Sequence, residues 1–506
     1  MKIIFRTDSS LQIGSGHVMR CLTLADELRL RGADVTFVCR EHPGNLISLI
    51  EGKGYPVVHL KLIAVEYVAK PDDVQHAGWL GGAWEQDAAD TIDSIGDLPP
   101  QWLIVDHYSI DRRWEHALRP HAGKIMVIDD IADRPHDCEL LLDQNLYQKM
   151  ETRYANLIPL DCKKLLGPRY ALLKPEFLVA RNKLRQRDGQ IQRVLVSFGG
   201  VDPTNETEKA ILALASITSQ TLEVDVVVGG GNLHKERIQK LCAAHDGFHY
   251  HCQVNNMADL MATADLSIGT GGTTVWERCA LGLPSLVSIV ANNHEEQVSF
   301  CAEQGILFCL GNQASVTTQH ILNAFKVFSF STFTLRSFSS ASMKLVDALG
   351  VKRVAGFLIS PQVKIRTAQE SDCDAIYEWR NAEETRKYIF VADIIPLETH
   401  RIWFKNTLTS HNRVLLIGEI NDHPIGVVRY DFSGDNALIS VYLAPGAQLQ
   451  GIGTELIRSG SRWLKQNRTE IKTIAAEIMR ENIASMRAFE KAGYQEHHVT
   501  CQEVLK

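Results

Sequence analysis

The chain has no cysteine pair spaced as CxxC and no His/Cys cluster at metal-ligand spacing, although it holds eleven cysteines. Neither a disulfide framework nor a structural zinc site is therefore expected, and scattered reduced thiols fit a cytoplasmic setting. Long apolar runs are missing too. No stretch approaches the length of about 18 residues that spans a bilayer, and the opening MKIIFRTDSS lacks the apolar core of a signal peptide. Positive charge is in deficit: a net charge of −7 and a pI near 6.3 offer no basic face to nucleic acid or to an anionic membrane. Small-molecule chemistry is the expectation. What is plentiful is apolar content, 45% of 506 residues, enough for well-formed cores in about three domains.

The densest local signal is the segment GSGHVMR, with Gly14, Gly16, His17 and Arg20. KIIFRT reads as a short buried strand, and from Val18 the apolar positions Val18, Cys21, Leu22, Ala25 and Leu28 repeat at helical spacing until Gly32 ends the pattern. Free amides at a helix start favour anions, and glycines there let a phosphate or alkoxide approach the backbone. The same helix end favours neutral His17, the form that takes a proton from water. A histidine that only packs or hydrogen-bonds also suits this turn. Met19 occupies the third glycine position of the dinucleotide fingerprint, which excludes that motif.

Apolar runs alternate with helical segments twice. The first alternation (ADVTFVCR, QWLIVDHY, KIMVIDD) fills residues 1–165, and the second (RVLVSFGG, VDVVVGGG, ADLSIGTGG, LPSLVSIVANN) fills 166–350. Each predicts a parallel sheet wrapped by helices, with a proline-interrupted hinge at GPRYALLKPEF. Ligands of such sheets gather beyond the carboxyl ends of the strands, which places Asp106, His107, Tyr108, Asp129 and Asp130 near His17. Residues 351–362 read as a linker. From 363 to 506 closely spaced strands followed by helix, strand and helix predict an α+β domain on a mostly antiparallel sheet.

In the second alternation GTGGTTVWERCALGLP passes from a strand through glycines into a helix. Gly271 and Gly272 open the backbone, Thr273 and Thr274 can hold a diphosphate, and Glu277 can accept hydrogen bonds from a ribose diol. A capping arrangement of Thr273 with Glu277 is the competing reading. SFGGVDPTN, with Gly199, is a second glycine-rich phosphate candidate.

The order of these motifs resembles nucleotide-sugar enzymes of the glycosyltransferase type-B (GT-B) architecture, two Rossmann-like domains of which the second holds UDP. More narrowly, RTDSSLQIGSGHVMRC, DHY, SFGGVDPTN and GTGGTTVWERCALGLPSLVSIVANN resemble the UDP-2,4-diacetamido-2,4,6-trideoxy-β-L-altropyranose hydrolases of bacterial pseudaminic acid biosynthesis. The resemblance implies metal-free attack of water on the anomeric carbon with UDP as leaving group. His17 becomes the general base. Asp8, Gly14, Gly16, Tyr108, Gly199, Thr273, Thr274, Glu277 and Asn293 become the substrate contacts. His294 stands where relatives commonly have glutamine.

After residue 363, QLQGIGTEL and ENIASMRAFEKAGY resemble the cofactor motifs of GNAT acetyltransferases. Gln448, Gly451 and Gly453 would then hold the pyrophosphate of acetyl-CoA, and Asn482 and Ser485 its arm. Backbone near Tyr442 and Leu443 would polarise the thioester, and Glu477 stands where some relatives carry a base. Phe489 replaces the tyrosine that protonates the thiolate in many relatives. The joint expectation is an N-acetyltransferase acting on a UDP-4-amino sugar and a hydrolase acting on the product. A UDP-sugar glycosyltransferase and a non-catalytic acetyl-CoA-binding module are the competing readings.

Overall fold

The computed structural model describes residues 1–63, 67–96, 98–217, 222–291, 294–359, 363–389, 392–420, 422–447 and 451–496. It divides into two compact units, one of residues 1–27 and 33–354, the other of 28–32 and 355–506.

The first unit holds two parallel sheets. Strands β1 (Lys2–Thr7), β2 (Asp34–Arg40), β3 (Val57–Leu60), β4 (Trp102–Asp106), β5 (Ile125–Ile128), β6 (Leu140–Asp143) and β7 (Lys163–Leu166) form the first, in the order β3-β2-β1-β4-β5-β6-β7. Strands β8 (Arg193–Ser197), β9 (Glu223–Val228), β10 (Phe248–Cys252), β11 (Leu266–Thr270), β12 (Ser285–Ile289) and β13 (Phe308–Asn312) form the second, in the order β10-β9-β8-β11-β12-β13. Helices cover both faces of such sheets, so the inner strands are apolar throughout rather than alternating. WLIVD of β4, IMVI of β5 and LLLD of β6 are buried at every position.

Strand order reverses between β1 and β4 in the first sheet and between β8 and β11 in the second. In open parallel sheets the two loops at this switch diverge and leave a crevice beyond the carboxyl ends. GSGHVMR follows β1 and DHY follows β4, while SFGG follows β8 and GTGG follows β11. Each glycine-rich motif therefore leaves its sheet at a switch point.

The second unit is an α+β domain on a five-stranded sheet. It contains β14 (Lys364–Thr367), β15 (Arg413–Ile420), β16 (His423–Ser433), β17 (Asn436–Leu443) and β18 (Thr473–Ala476) in sequential order. All neighbours are antiparallel except β17 and β18. Leu416, Val428, Tyr430 and Ile439 face the helices Ile452–Asn467 and Ile483–Ala492, and Leu415, Ile417 and Val427 face Ile376 and Phe404 on the opposite side. This is the period-two division of a two-sided sheet.

A buried ion cluster ties the first sheet together. Asp87 accepts from Arg6 Nε at 3.2 Å and Nη2 at 2.6 Å, from Arg40 Nη2 at 2.7 Å and from Trp114 Nε1 at 3.0 Å. Asp87, Arg6, Arg40 and Trp114 are all fully buried. Removing one member of a buried pair strands the opposite charge, so Asp87→Ala is expected to cost about 3–5 kcal/mol. The measurement is the urea midpoint of the first unit, which should fall sharply.

Candidate functional site

The turn after β1 is built by Ser10, whose carbonyl accepts from the Gly14 amide at 2.9 Å and whose Oγ accepts from the Ile13 amide at 2.9 Å. Gly14 has φ of +80°, a region that L side chains avoid. A Cβ at Gly14 or Gly16 would meet no atom within 4 Å, so this face of the turn is open. The helix Gly16–Leu30 begins here and carries His17 and Arg20 one turn apart.

Both side chains close on Asp106 at the end of β4. His17 Nδ1 lies 2.6 Å from Asp106 Oδ1, and Arg20 donates Nε at 2.6 Å and Nη2 at 2.7 Å to the same carboxylate. Arg20 Nη1 reaches Asp130 at 2.8 Å, and the Tyr108 hydroxyl donates to the other Asp130 oxygen. Burial opposes ionisation of Asp106, but Arg20 and His17 outweigh it and hold the carboxyl far below the usual range. With Nδ1–H given to Asp106, neutral His17 presents a lone pair at Nε2, for which no protein hydrogen bond is found among the described residues. The Tyr108 ring stands edge-on to His17 at 4.6 Å.

Asp8 lies beneath this centre rather than in it. It is fully buried, accepts the Arg40 amide at 2.7 Å, pairs with Arg6 at 2.7 Å and faces His107 at 3.3 Å. The expected substrate contact at Asp8 is thus a support of the β1 end. Sequence reasoning missed the loop that brings His76 and Trp79 to Tyr108, with ring centroids 5.6 and 5.9 Å away. Nothing local marks these residues, because their meeting with Tyr108 is a long-range contact.

At the second switch point Gly199 and Gly200 are open on their Cβ side, and Gly272 has φ of +82°. Thr273 precedes the helix Thr274–Ala280 in a helical conformation and makes no side-chain cap bond, which removes the capping arrangement and leaves its hydroxyl exposed. The SFGGVDPTN loop differs: Asp202 accepts the amides of Glu206 at 2.9 Å and Thr207 at 3.0 Å, so its helix start is already occupied. Gly199 and Gly200 remain as the open part of that loop. Glu277 is partly buried, and burial pushes its carboxyl up to about 7, with Lys174 and Arg278 opposing. The His294 ring lies over the Gly271–Gly272 turn, 3.1 Å from where a Gly272 Cβ would stand. Asn293 lies outside the described residues. Trp276 Nε1 donates to Asn145 at 2.9 Å and Arg153 pairs with Glu296 at 3.1 Å, which links the loops of the two sheets.

In the second unit the pairing of β17 with β18 ends at Ile439 and Ala476. Residues 440–443, with Tyr442 and Leu443, continue to pair with β16 alone, so the sheet splays and backbone groups of β17 face the gap. Glu477 is the exposed residue immediately past β18. Gly451 has φ of +94° and starts the helix Ile452–Asn467, where a cavity of about 220 Å³ is lined by Gly451, Thr454, Glu455, Arg458 and Lys491. Gly453 lies within that first turn. Asn482 Oδ1 accepts the Ser485 amide at 3.0 Å and caps the next helix. Gln448 lies outside the described residues. Phe489 is a core residue, edge-on to Tyr494 at 5.0 Å, and the Tyr494 hydroxyl shares a 2.8 Å hydrogen bond with Ser461. No group of three or more metal-ligating side chains occurs among the described residues, and no helix among them is long and apolar enough to cross a membrane.

Residues 362–495 match the acetyltransferase (GNAT) domain model. The chain carries a GNAT acetyltransferase domain. Residues 194–300 match the glycosyltransferase family 28 C-terminal domain, and the first unit has the GT-B fold. The crystal structure of MurG from Acinetobacter baumannii aligns with a TM-score of 0.50 at 14% identity, covering 70% of this chain and 98% of that one. A UDP-2,4-diacetamido-2,4,6-trideoxy-beta-L-altropyranose hydrolase of Campylobacter jejuni is 28% identical over 306 residues, 60% of this chain and 97% of its own length. An uncharacterized protein of Methanocaldococcus jannaschii is 22% identical over 514 residues, 98% of this chain and 97% of its own, so the likeness extends through both units. Acetyl-CoA is the co-substrate that the GNAT domain implies.

The raised Glu277 carboxyl makes stability depend on pH. Between about 4.5 and about 7 the folded protein holds this proton more tightly than the unfolded chain, so the contribution falls as pH rises through that window. Glu277→Gln stays neutral throughout. Its thermal midpoint should match the parent near pH 4.5 and exceed it near pH 8, and equal midpoints at both would show that Glu277 ionises without penalty.

Proposed function

We propose that the first unit hydrolyses a UDP-linked 2,4-diacetamido-2,4,6-trideoxy sugar, the altropyranose of the C. jejuni relative being the leading candidate. The observation that carries the reading is the 2.6 Å contact of His17 Nδ1 with Asp106 at an open glycine turn. It leaves Nε2 to take a proton from water as the water oxygen bonds to the anomeric carbon. The bond from that carbon to the β-phosphate oxygen breaks, its electron pair leaves with UDP, and the free sugar is the second product. Asp106, ionised throughout, steadies the imidazolium that forms, and the backbone at Gly199, Gly271 and Gly272 with Thr273 and Thr274 receives the diphosphate. Glu277 and Asn293 complete the assignment, on the ribose and on the sugar or water. No metal takes part.

The GNAT domain then supplies the preceding step. The 4-amino group of the UDP-linked precursor attacks the thioester carbonyl of acetyl-CoA, the carbon–sulfur bond breaks, and coenzyme A leaves as the thiol once protonated. Tyr442 and Leu443 provide backbone at the splay, Gly451, Gly453 and Gln448 hold the pyrophosphate, and Glu477 accepts the amine proton. Ser485 and the part of Asn482 not used in capping contact the cofactor arm. Both substrates belong to the cytoplasm. The family 28 match favours one rival, transfer of the sugar to an acceptor other than water.

Acceptor-free buffer separates these readings: the hydrolase releases UDP from the diacetamido UDP-sugar there, and a glycosyltransferase does not. His17→Ala should lower kcat by about 10²- to 10⁴-fold while UDP affinity stays within about twofold. Unchanged turnover would remove His17 from the chemistry. For the GNAT domain, transfer of labelled acetyl from acetyl-CoA to the 4-amino UDP-sugar is expected from the full chain. Binding of acetyl-CoA without transfer would make the domain a sensor rather than an enzyme.

A further inference from the structure

Buried arginines in the first unit are matched to carboxylates. Arg6 pairs with Asp8 and Asp87, Arg20 with Asp106 and Asp130, Arg40 with Asp87 and Asp90, and Arg134 with Asp129 and Asp133. Arg278 breaks the pattern. It is 2% exposed, forms no ion pair with a carboxylate among the described residues, and donates one hydrogen bond, from Nη2 to the Thr270 carbonyl at 2.6 Å. Its Nε is buried without a partner.

The position of this guanidinium is defined by Gly269. A Cβ there would lie 2.3 Å from the Ser197 carbonyl oxygen and 2.8 Å from Arg278 Nη1. Ser197 ends β8 and Thr270 ends β11. The charge therefore sits at the tips of the two strands that feed the loops Ser197–Gly200 and Gly269–Thr274, at the switch point of the second sheet. Arg181 and Arg187 also bind carbonyls, but each spans several of them, Arg181 those of Ala280, Met343 and Val346, and Arg187 those of Met261, Ala264 and Leu281. Those two fasten helix ends together, whereas Arg278 holds a charge in place with no carboxylate in ion-pair contact among the described residues. Burial pulls its guanidinium down to about 10, with Cys279 and Glu277 opposing. A buried charge left without a counterion is costly, and the cost is recovered when a ligand brings the opposite charge.

We infer that Arg278 is the buried cation that counters the diphosphate held over these two loops, acting through space as a positioning residue on the charge that grows on departing UDP. The inference rests on the nucleotide-binding reading above. Low dielectric around the guanidinium makes such an interaction worth far more than in water.

The test is calorimetric binding of UDP and of uridine to the full chain, with the thermal midpoint of the ligand-free protein measured alongside. Arg278→Met should weaken UDP binding by about tenfold or more, leave uridine within about twofold, and hold or raise the midpoint, because an uncompensated buried charge has gone. Arg278→Lys keeps the charge and should restore most of the UDP affinity. UDP and uridine weakening together with a lowered midpoint would make Arg278 a structural strut, and unchanged UDP affinity would also overturn the inference. Should Arg278→Met fail to fold, Arg278→Gln compared with Arg278→Lys reads the same difference. Parent protein that binds neither ligand would remove the nucleotide site itself and this inference with it, whereas parent binding with unaltered variants removes the inference alone.

Discussion

Asp106 is a fully buried carboxylate, and an ionised group there is tolerable only with cations closed around it. Arg20 supplies the charge and His17 an Nδ1 hydrogen bond, both from one turn of one helix, because residues three apart share a helix face. That requirement fixes where the helix starts and how it is rotated. It also fixes the turn before it, since Ser10 to Gly14 must deliver the chain to that start. Arg20 reaches Asp130 as well, so one guanidinium joins the helix start to the ends of two strands. His17 is positioned as a consequence. Its Nδ1 is committed to Asp106, and what remains for chemistry is Nε2.

The two sheets of the first unit share a topology but solve opposite charge problems. Beyond the first sheet lie Asp106, Asp129 and Asp130, paired with Arg20 and Arg134, and Asp143, whose carboxyl burial and the neighbouring Asp130 push well above the usual range although Arg153 stands 3.5 Å away. Beyond the second lie glycine backbones, threonine hydroxyls and Arg278. A centre that must stabilise an imidazolium needs nearby anions; a centre that must receive a diphosphate needs amides and a cation. The division of labour in the proposed reaction follows from this difference in end groups, since the sheets themselves are alike.

Much of this was legible in the chain. Continuous apolar runs marked the inner strands, and the change to closely spaced alternating strands after residue 363 marked the antiparallel sheet. The glycine motifs were readable because a positive φ or an open approach restricts the residue type. Contacts between distant segments were not. The family resemblance makes Asp8 a substrate contact, yet the Arg40 amide, thirty-two positions on, closes over it. Asp202 looked like part of a phosphate loop and instead caps its own helix, a choice that φ and ψ settle and composition does not. His76 and Trp79 reach Tyr108 through a turn without any motif. Phe489 carries no hydroxyl, and its ring fills the core against Tyr494. The splay of β17 from β18 is visible only in the structure, because a strand's own sequence does not say where its neighbour departs.

Proton demands place the two sheets under opposed constraints. Burial disfavours ionised Asp106 and Asp129, but Arg20 and Arg134 outweigh it and hold both carboxyls low, so their contribution to stability is present above the unfolded pKa near 4 and is lost as pH falls below it. Glu277 runs the other way, holding its proton up to about 7 and weighing on the fold once it ionises. Neutral conditions therefore keep Asp106 and Asp129 ionised while Glu277 sits at the edge of ionisation. A ribose diol donating to that carboxylate would favour the charged form, as hydrogen bonds to a carboxylate do. Hydrogen bonds of that kind would offset the burial penalty that Glu277 meets when it ionises.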